Sequence, residues 1–380
     1  MCDGMKQRLV KLGKQAIALL LFPLSYFLFR ISADNPQMTE QYYSGWMFAR
    51  VNSALVALTS VLPVSLAEIL VILIALYVLF RLGSMAVGVI KRENSVSGRV
   101  LRVLETIVHL SVIAGVLVFL YVSLWGLNNN RQPFAEAIGL SVEKSTVQEL
   151  KDCCLFLLEQ TNVQRESIPE DDAGVMRLEE ERRAVMDRAG EGYEILAANI
   201  PSLGRVRPGR AKPVMMSELM SYAGITGIYF PMTAEANINV HIPDVDLPFT
   251  ICHELAHQLG YASEDEANFI SWLACSQSPY PEYQYSGNYS ALVYLMNALA
   301  AADRQVWQEV YGMCSPELQR DLAAASQYWD QFKGPIQEVS TAVNDSFLKA
   351  NRQEEGVRSY GKMADLVMAW IKAEMLNNNE

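Results

Sequence analysis

His253-Glu254-Leu255-Ala256-His257 is the stretch whose residue types and spacing could do chemistry. On a helix, side chains four apart stand one turn above another on the same face. The two imidazoles can therefore share one Zn2+, at about 2.0–2.1 Å each. Glu254 projects beside that ion rather than onto it. There it can take a proton from a water whose acidity the metal raises. Between Phe249 and Leu259 no other residue carries a charge, and Thr250, Ile251, Leu255, Ala256 and Leu259 give the surround a buried metal helix needs. Two of the chain's four histidines lie in this motif.

A third protein ligand is required, with the fourth position left to water. The helix breaks at Gly260, and a new one starts at Ser263-Glu264-Asp265-Glu266. All three acids of that turn are candidates. Each also has a structural explanation: Ser263 with Glu266 has capping-box spacing, and acids suit the positive end of a helix dipole. Asn268, one turn beyond Glu264, is placed to hold a ligand histidine.

The elements around the motif read as α+β, predominantly helical. A strand is expected at 225–230, between Gly224 and Pro231. A second is expected at 237–242, where polar and apolar residues alternate with period two. Residues 236–242 are the expected sheet edge above the metal, where a substrate backbone could pair, and His241 is expected at the surface of that strand. After Pro248 helices are expected to the end of the chain, at 251–260, 263–276, 288–311, 316–332, 335–350 and 355–376. Upstream, 145–160 and 170–198 read as helices. The Pro/Gly-rich loop 199–213 carries Arg205, Arg207, Arg210 and Lys212, a basic island that could contact an anionic substrate.

The first third of the 380-residue chain is different in kind. The whole is 51% hydrophobic with a net charge of −11, and its mean hydropathy is +0.10. Residues 1–126 carry a net +5 and residues 127–380 a net −16. An acidic second part offers no positive field to hold phosphates, so a nucleic-acid partner is excluded. The apolar content excludes disorder as the main state. Three apolar runs are expected to span a bilayer, at about 15–33, 64–82 and 103–126. The first contains Pro23, and could instead be a cleaved signal peptide. Ser65 and Glu68 have capping-box spacing, which puts Glu68 at an interface rather than mid-bilayer. Glu105 and His109, four apart, read as a helix-end hydrogen-bonded pair. Lys6, Arg8, Lys11 and Lys14, and later Arg81, Lys91, Arg92, Arg99 and Arg102, put the N-terminus and the 81–102 loop in the cytoplasm. The expected organisation is a membrane region at 1–126 and an extracytoplasmic domain at 127–380, multi-pass in the cell membrane. Five cysteines (153, 154, 252, 275 and 314) then lie outside and Cys2 inside; Cys252 and Cys275 read as buried apolar residues rather than metal ligands.

The string His253 to Ser263 resembles the HExxHxxGxx frame of the metzincins, but Ser263 stands where their third histidine would be. Glu264-x-x-Ala267-Asn268 is similar to the gluzincin signature, whose first glutamate binds zinc. That resemblance implies Glu264 as third ligand, with Glu266 the alternative and Asn268 a supporting residue. It also implies a downstream oxyanion stabiliser, for which Tyr360, Arg358 and Tyr285 are the options. Met216-Ser217, Ser221-Tyr222-x-Gly224-Ile225-x-Gly227-Ile228-Tyr229-x-Pro231, Glu235-Ala236-Asn237 and Pro248-Phe249-Thr250 resemble a bacterial membrane family known as domain of unknown function 3810. So do Pro63-x-Ser65-x-x-Glu68, Trp125-Gly126-Leu127-Asn128, Leu348-Lys349-x-Asn351 and Gly356-Val357-x-Ser359-Tyr360. The resemblance implies a membrane protein with a zincin-like domain. The expected function is a zinc-dependent metallopeptidase with Glu254 as general base, and with a bilayer and a peptide or protein substrate as partners. The alternative is a non-catalytic scaffold or sensor with a structural metal; a transporter is a poorer fit, since three spans with few charges make a poor path.

Overall fold

The computed structural model of the protein describes residues 3–91, 95–353 and 362–377. They form a predominantly helical chain with one small three-stranded sheet. Helix α1 (Met5–Asp34) is long and apolar enough to cross a membrane. It starts before the expected 15–33 because the basic segment continues the same helix. A 3-10 turn at Ile17–Leu20 tightens the chain just before Pro23, which then falls in the first turn of Leu21–Asp34, where a missing N–H costs little.

A π-helical segment, Thr39–Phe48, leads into α2 (Ala49–Thr59). Both leave the apolar helices and join the globular core through Tyr43, Phe48, Ala49 and Val56. The expected division at 126 is therefore crossed: the connection between the first two apolar helices packs as part of the domain. Helices α3 (Leu66–Lys91) and α4 (Val96–Leu124) are the other two of membrane-spanning length and composition. Together the three support membrane association.

Ser65 caps α3, its Oγ accepting from Glu68 N–H at 2.9 Å. The other half of the expected capping box is absent. Glu68 instead accepts from the backbone N–H groups of Met215 (2.9 Å) and Met216 (2.8 Å). The free N–H groups of Leu66 and Ala67 donate to the Glu235 carboxylate, at 3.2 and 2.8 Å. The second apolar helix is thus bolted at its start to the sheet. Glu105 and His109 do not pair either. Glu105 takes a two-pronged bond from Arg8 of α1, and His109 meets the Tyr77 hydroxyl at 2.7 Å.

Beyond the third apolar helix comes α5 (Val147–Arg165), started by a complete capping box between Thr146 and Glu149. Strand β1 (Lys212–Pro213) and α6 (Ser217–Tyr222) precede β2 (Gly227–Phe230) and β3 (Glu235–Ile238). The order is β1-β3-β2, with β3 parallel to β1 and antiparallel to β2. Both strands are shorter than expected, and β3 is central. The edges are β1 and β2, not 236–242. Alternation misled because β3 is covered on both faces and all four residues are buried. Its polar members are buried with partners: Glu235 caps α3, and Asn237 accepts from Ser65 at 2.6 Å. Asn239 ends the strand by bonding the Ile225 carbonyl and the His241 N–H, each at 2.9 Å.

Helices α7 (Leu247–Gln258), α8 (Glu264–Gln277) and α9 (Pro281–Ala302) form the core layer against the sheet. Helices α10 (Pro316–Asp330), α11 (Pro335–Ala350) and α12 (Met363–Asn377) follow. Cys153, Cys154, Cys252, Cys275 and Cys314 are buried free thiols; Cys2 lies outside the described residues. The basic island is neutralised within the fold. Arg205 pairs with Glu40, Arg207 with Glu194 and Arg210 with Asp187. The Lys212 ammonium donates to the carbonyls of Thr59 and Leu62, so the island offers no free anion site.

A candidate metal centre

Helix α7 starts with Pro248 in its first turn, where proline is pre-organised, and is buried along nearly its whole length. It stops because Gly260 adopts φ +92°, a left-handed conformation that favours glycine. A Cβ there would also lie 2.5 Å from the Phe48 ring. Outside groups satisfy the carbonyls at its end. Trp125 Nε1 donates to His257 O (3.1 Å), Asn52 Nδ2 to Gln258 O (2.6 Å) and Arg131 Nη1 to Gly260 O (3.0 Å). Arg131 also holds Glu40 with two bonds and lies 4.1 Å over the Tyr261 ring.

The turn at Gly260 folds α8 back so that Glu264 faces both histidines. Its Oε2 stands 3.2 Å from His253 Nε2 and 3.5 Å from His257 Nε2. Four donors arranged tetrahedrally at about 2.0–2.1 Å from a zinc ion are about 3.3–3.4 Å from one another. The observed spacings bracket that edge length. His253, His257 and Glu264 offer ligand atoms that all lie within 4.8 Å of one another. His257 Nδ1 lies 2.7 Å from the Tyr261 carbonyl. A carbonyl only accepts, so Nδ1 carries the proton and Nε2 is the nitrogen offered to a ligand.

Four buried polar atoms here make no hydrogen bond: His253 Nδ1, Glu254 Oε2, Glu264 Oε2 and Asn268 Nδ2. Unpaired buried acceptors are costly, and a cation beside Glu264 would satisfy its oxygen. The donor set, two imidazoles and one carboxylate, suits Zn2+. Without a metal, burial opposes charge on His257, but the Glu264 carboxylate overrides it and pushes the imidazole up to about 9. The Glu264 carboxyl is held well below its ordinary range: burial opposes this, and the two histidines win.

Glu254 is buried beside the cluster. Burial pushes its carboxyl upward, against the pull of both imidazoles. It sits under β2, and the nearby Tyr229 backbone draws its carboxyl downward, against burial. A Cβ on Gly227 would come within 2.6 Å of its Cγ and Oε1, so glycine is needed for this approach.

Glu266 points elsewhere. Its carboxylate accepts from the Phe134 N–H at 2.5 Å, and burial, then the charge of Asp265, raises it to about 7. The expected Ser263–Glu266 capping box does not form. Ser263 donates to Asp265, whose Oδ1 accepts from the Glu266 N–H. Asn268 is buried, 2% exposed, beside the Tyr294 phenol, and its Nδ2 makes no hydrogen bond. Tyr285 is committed to Asp321, to which it donates at 2.6 Å beside the buried Arg165. His241 is exposed. Tyr360 and Arg358 lie outside the described residues.

Sequence reasoning did not single out Gly227, Tyr229, Asn52, Arg131, Tyr294 or Gln353 for the site. Gln353 accepts from Glu264 N–H at 3.3 Å and donates to Ala262 O at 3.2 Å. Their contributions depend on contacts across about 25 or more residues of chain, which no local spacing encodes.

No curated protein and no solved structure matches this chain. The family model described as "Protein of unknown function (DUF3810)" matches residues 43–368, from within the π-helical segment into α12, and the chain belongs to that family.

Proposed function

We propose that the protein is a membrane-anchored, zinc-dependent hydrolase of peptide bonds. His253, His257 and Glu264 would hold the metal. The observation that carries the reading is the spacing of their three ligand atoms, with a buried carboxylate, Glu254, beside them. Zinc, when bound, supplies Lewis acidity toward a water and a peptide carbonyl. Glu254 takes the water's proton and returns it to the leaving amine. Its buried position keeps it basic enough for both transfers. An extended substrate would lie along β2, the sheet edge above Glu254, by adding a strand. Among the described residues the cluster has three protein ligands, which supports an open fourth position rather than a closed structural site.

The three apolar helices would cross the cell membrane with the N-terminus in the cytoplasm. The lysines and arginines of residues 1–14 and 81–102 support this orientation, which puts the domain outside.

Metal content tests the reading. Full-length wild type in detergent is expected to hold one zinc per chain, Glu264→Ala to lose it, and Glu266→Ala to keep it. Loss with Glu266→Ala but not Glu264→Ala would overturn the ligand assignment. Absence of zinc from metal-supplied wild type would overturn the function.

A further inference from the structure

Helix α11 is 16 residues long, about 24 Å at 1.5 Å per residue, and only Leu348 along it is buried. Its sides differ in chemistry. Gln337, Ser340, Asn344 and Leu348 turn toward the protein, each partly or fully buried. One flank carries Ile336, Val339, Val343 and Phe347, which are 61%, 64%, 64% and 44% exposed. The other flank carries Glu338, Thr341, Asp345 and Lys349.

Both ends of α11 are tied to the ends of apolar helices that face the domain. At its C-terminal end, Phe347 packs edge-on to Tyr121 of α4 with centroids 5.7 Å apart, and the Tyr121 hydroxyl donates to Asn351 at 2.9 Å. At its N-terminal end the link runs through α6. Gln337 lies against Gly224, and Phe332 meets Tyr222 edge-on at 4.9 Å. The start of α6 is held in turn by Glu68, in the first turn of α3. Met215, Leu219 and Tyr222 there are exposed as well. Both ends of α11 are thus linked, directly or through α6, to the domain-side ends of α4 and α3. If α3 and α4 cross a bilayer, those ends mark the lipid–water interface.

We propose that α11, with the exposed apolar residues of α6, is seated in the outer leaflet at the headgroup–acyl boundary. The Ile336–Phe347 flank faces lipid and the Glu338–Lys349 flank faces water. The occupant is lipid because the apolar flank is continuous with α4 through the Phe347–Tyr121 contact. A helix with separate apolar and polar sides binds in this way. The proposal rests on the membrane-spanning reading of α3 and α4, and the test separates the two.

Full-length protein carrying Cys2→Ser is placed in phosphatidylcholine nanodiscs with one introduced cysteine at a time, labelled with bimane. The positions are Val339→Cys and Val343→Cys on the apolar flank, Thr341→Cys on the polar flank, and Leu76→Cys on α3. Quenchers are a lipid with a doxyl group high on the acyl chain, and aqueous iodide. At 339 and 343 the doxyl lipid is expected to quench about twofold more than at 341, with the reverse order for iodide. Labels at 339 and 343 quenched by iodide as strongly as at 341, while Leu76→Cys is quenched by lipid, would overturn the proposal alone. Protection of 339 and 343 from both quenchers would overturn it in favour of protein cover, such as a second copy. Absence of lipid quenching at Leu76→Cys would overturn the spanning reading and the proposal with it.

Discussion

The indole N–H of Trp125 donates to the backbone carbonyl of His257 across 3.1 Å. The residue that ends the third apolar helix thus holds the last turn of the motif helix, and its ring meets the His257 imidazole edge-on at 5.8 Å. Trp125→Phe keeps much of the ring packing and removes the donor. His257 O still accepts from Gly260 N–H, so the expected cost is about 0.5–1.5 kcal/mol. Asn52→Ala is expected to cost more, about 1–3 kcal/mol, because it strips both Gln258 O and the Tyr229 hydroxyl of their partner. Thermal unfolding of the two variants in the same detergent checks the order.

Gly227→Ala tests the placement of the base. The new methyl would meet Glu254 at 2.6 Å and must push the carboxylate away from its position. The proposed metal ligands are untouched, so zinc content should stay at the wild-type level. Hydrolysis should fall by about 10²-fold, the lower range for losing a positioned general base. Full activity in Gly227→Ala would show that Glu254 acts from another position.

Glu266 gives a pH signature. Its carboxyl is raised to about 7 in the folded protein from an ordinary 4.5. Between those values the folded state binds more protons than the unfolded one, so its contribution to stability falls as pH rises through that window. Glu266→Gln removes the titration while leaving an oxygen for the Phe134 N–H. Its stability relative to wild type should therefore improve from pH 4.5 to pH 7 and level off above. An unchanged difference across that range, followed by denaturant titration, would contradict the placement of Glu266.

Much of the candidate metal centre is legible because its information is local. His253 and His257 are one turn apart, and Gly260 ends the helix within three residues of the second. Glu264 was favoured by a resemblance, and the geometry separates it from Glu266 by direction: one faces the histidines, the other Phe134. The sheet was less legible. Glu235 and Asn237 look like residues for a solvent-facing side, yet both are buried because the start of α3 arrives from 170 residues away and needs their oxygens. Packing across residue 126 has the same origin: Phe48 lies against Gly260, and Asn52 donates to Gln258 O, across long stretches of chain. The arginines of the 199–213 loop read as free cations because their acidic partners, Glu40, Asp187 and Glu194, are not adjacent in sequence.

The most direct test of the account is hydrolysis by Glu254→Gln beside wild type, on a mixture of random-sequence peptides read by mass spectrometry, with zinc measured in both. The account predicts that wild type cleaves peptides and that Glu254→Gln keeps its zinc and loses at least about 10²-fold of the rate. Undiminished cleavage by zinc-loaded Glu254→Gln would contradict it.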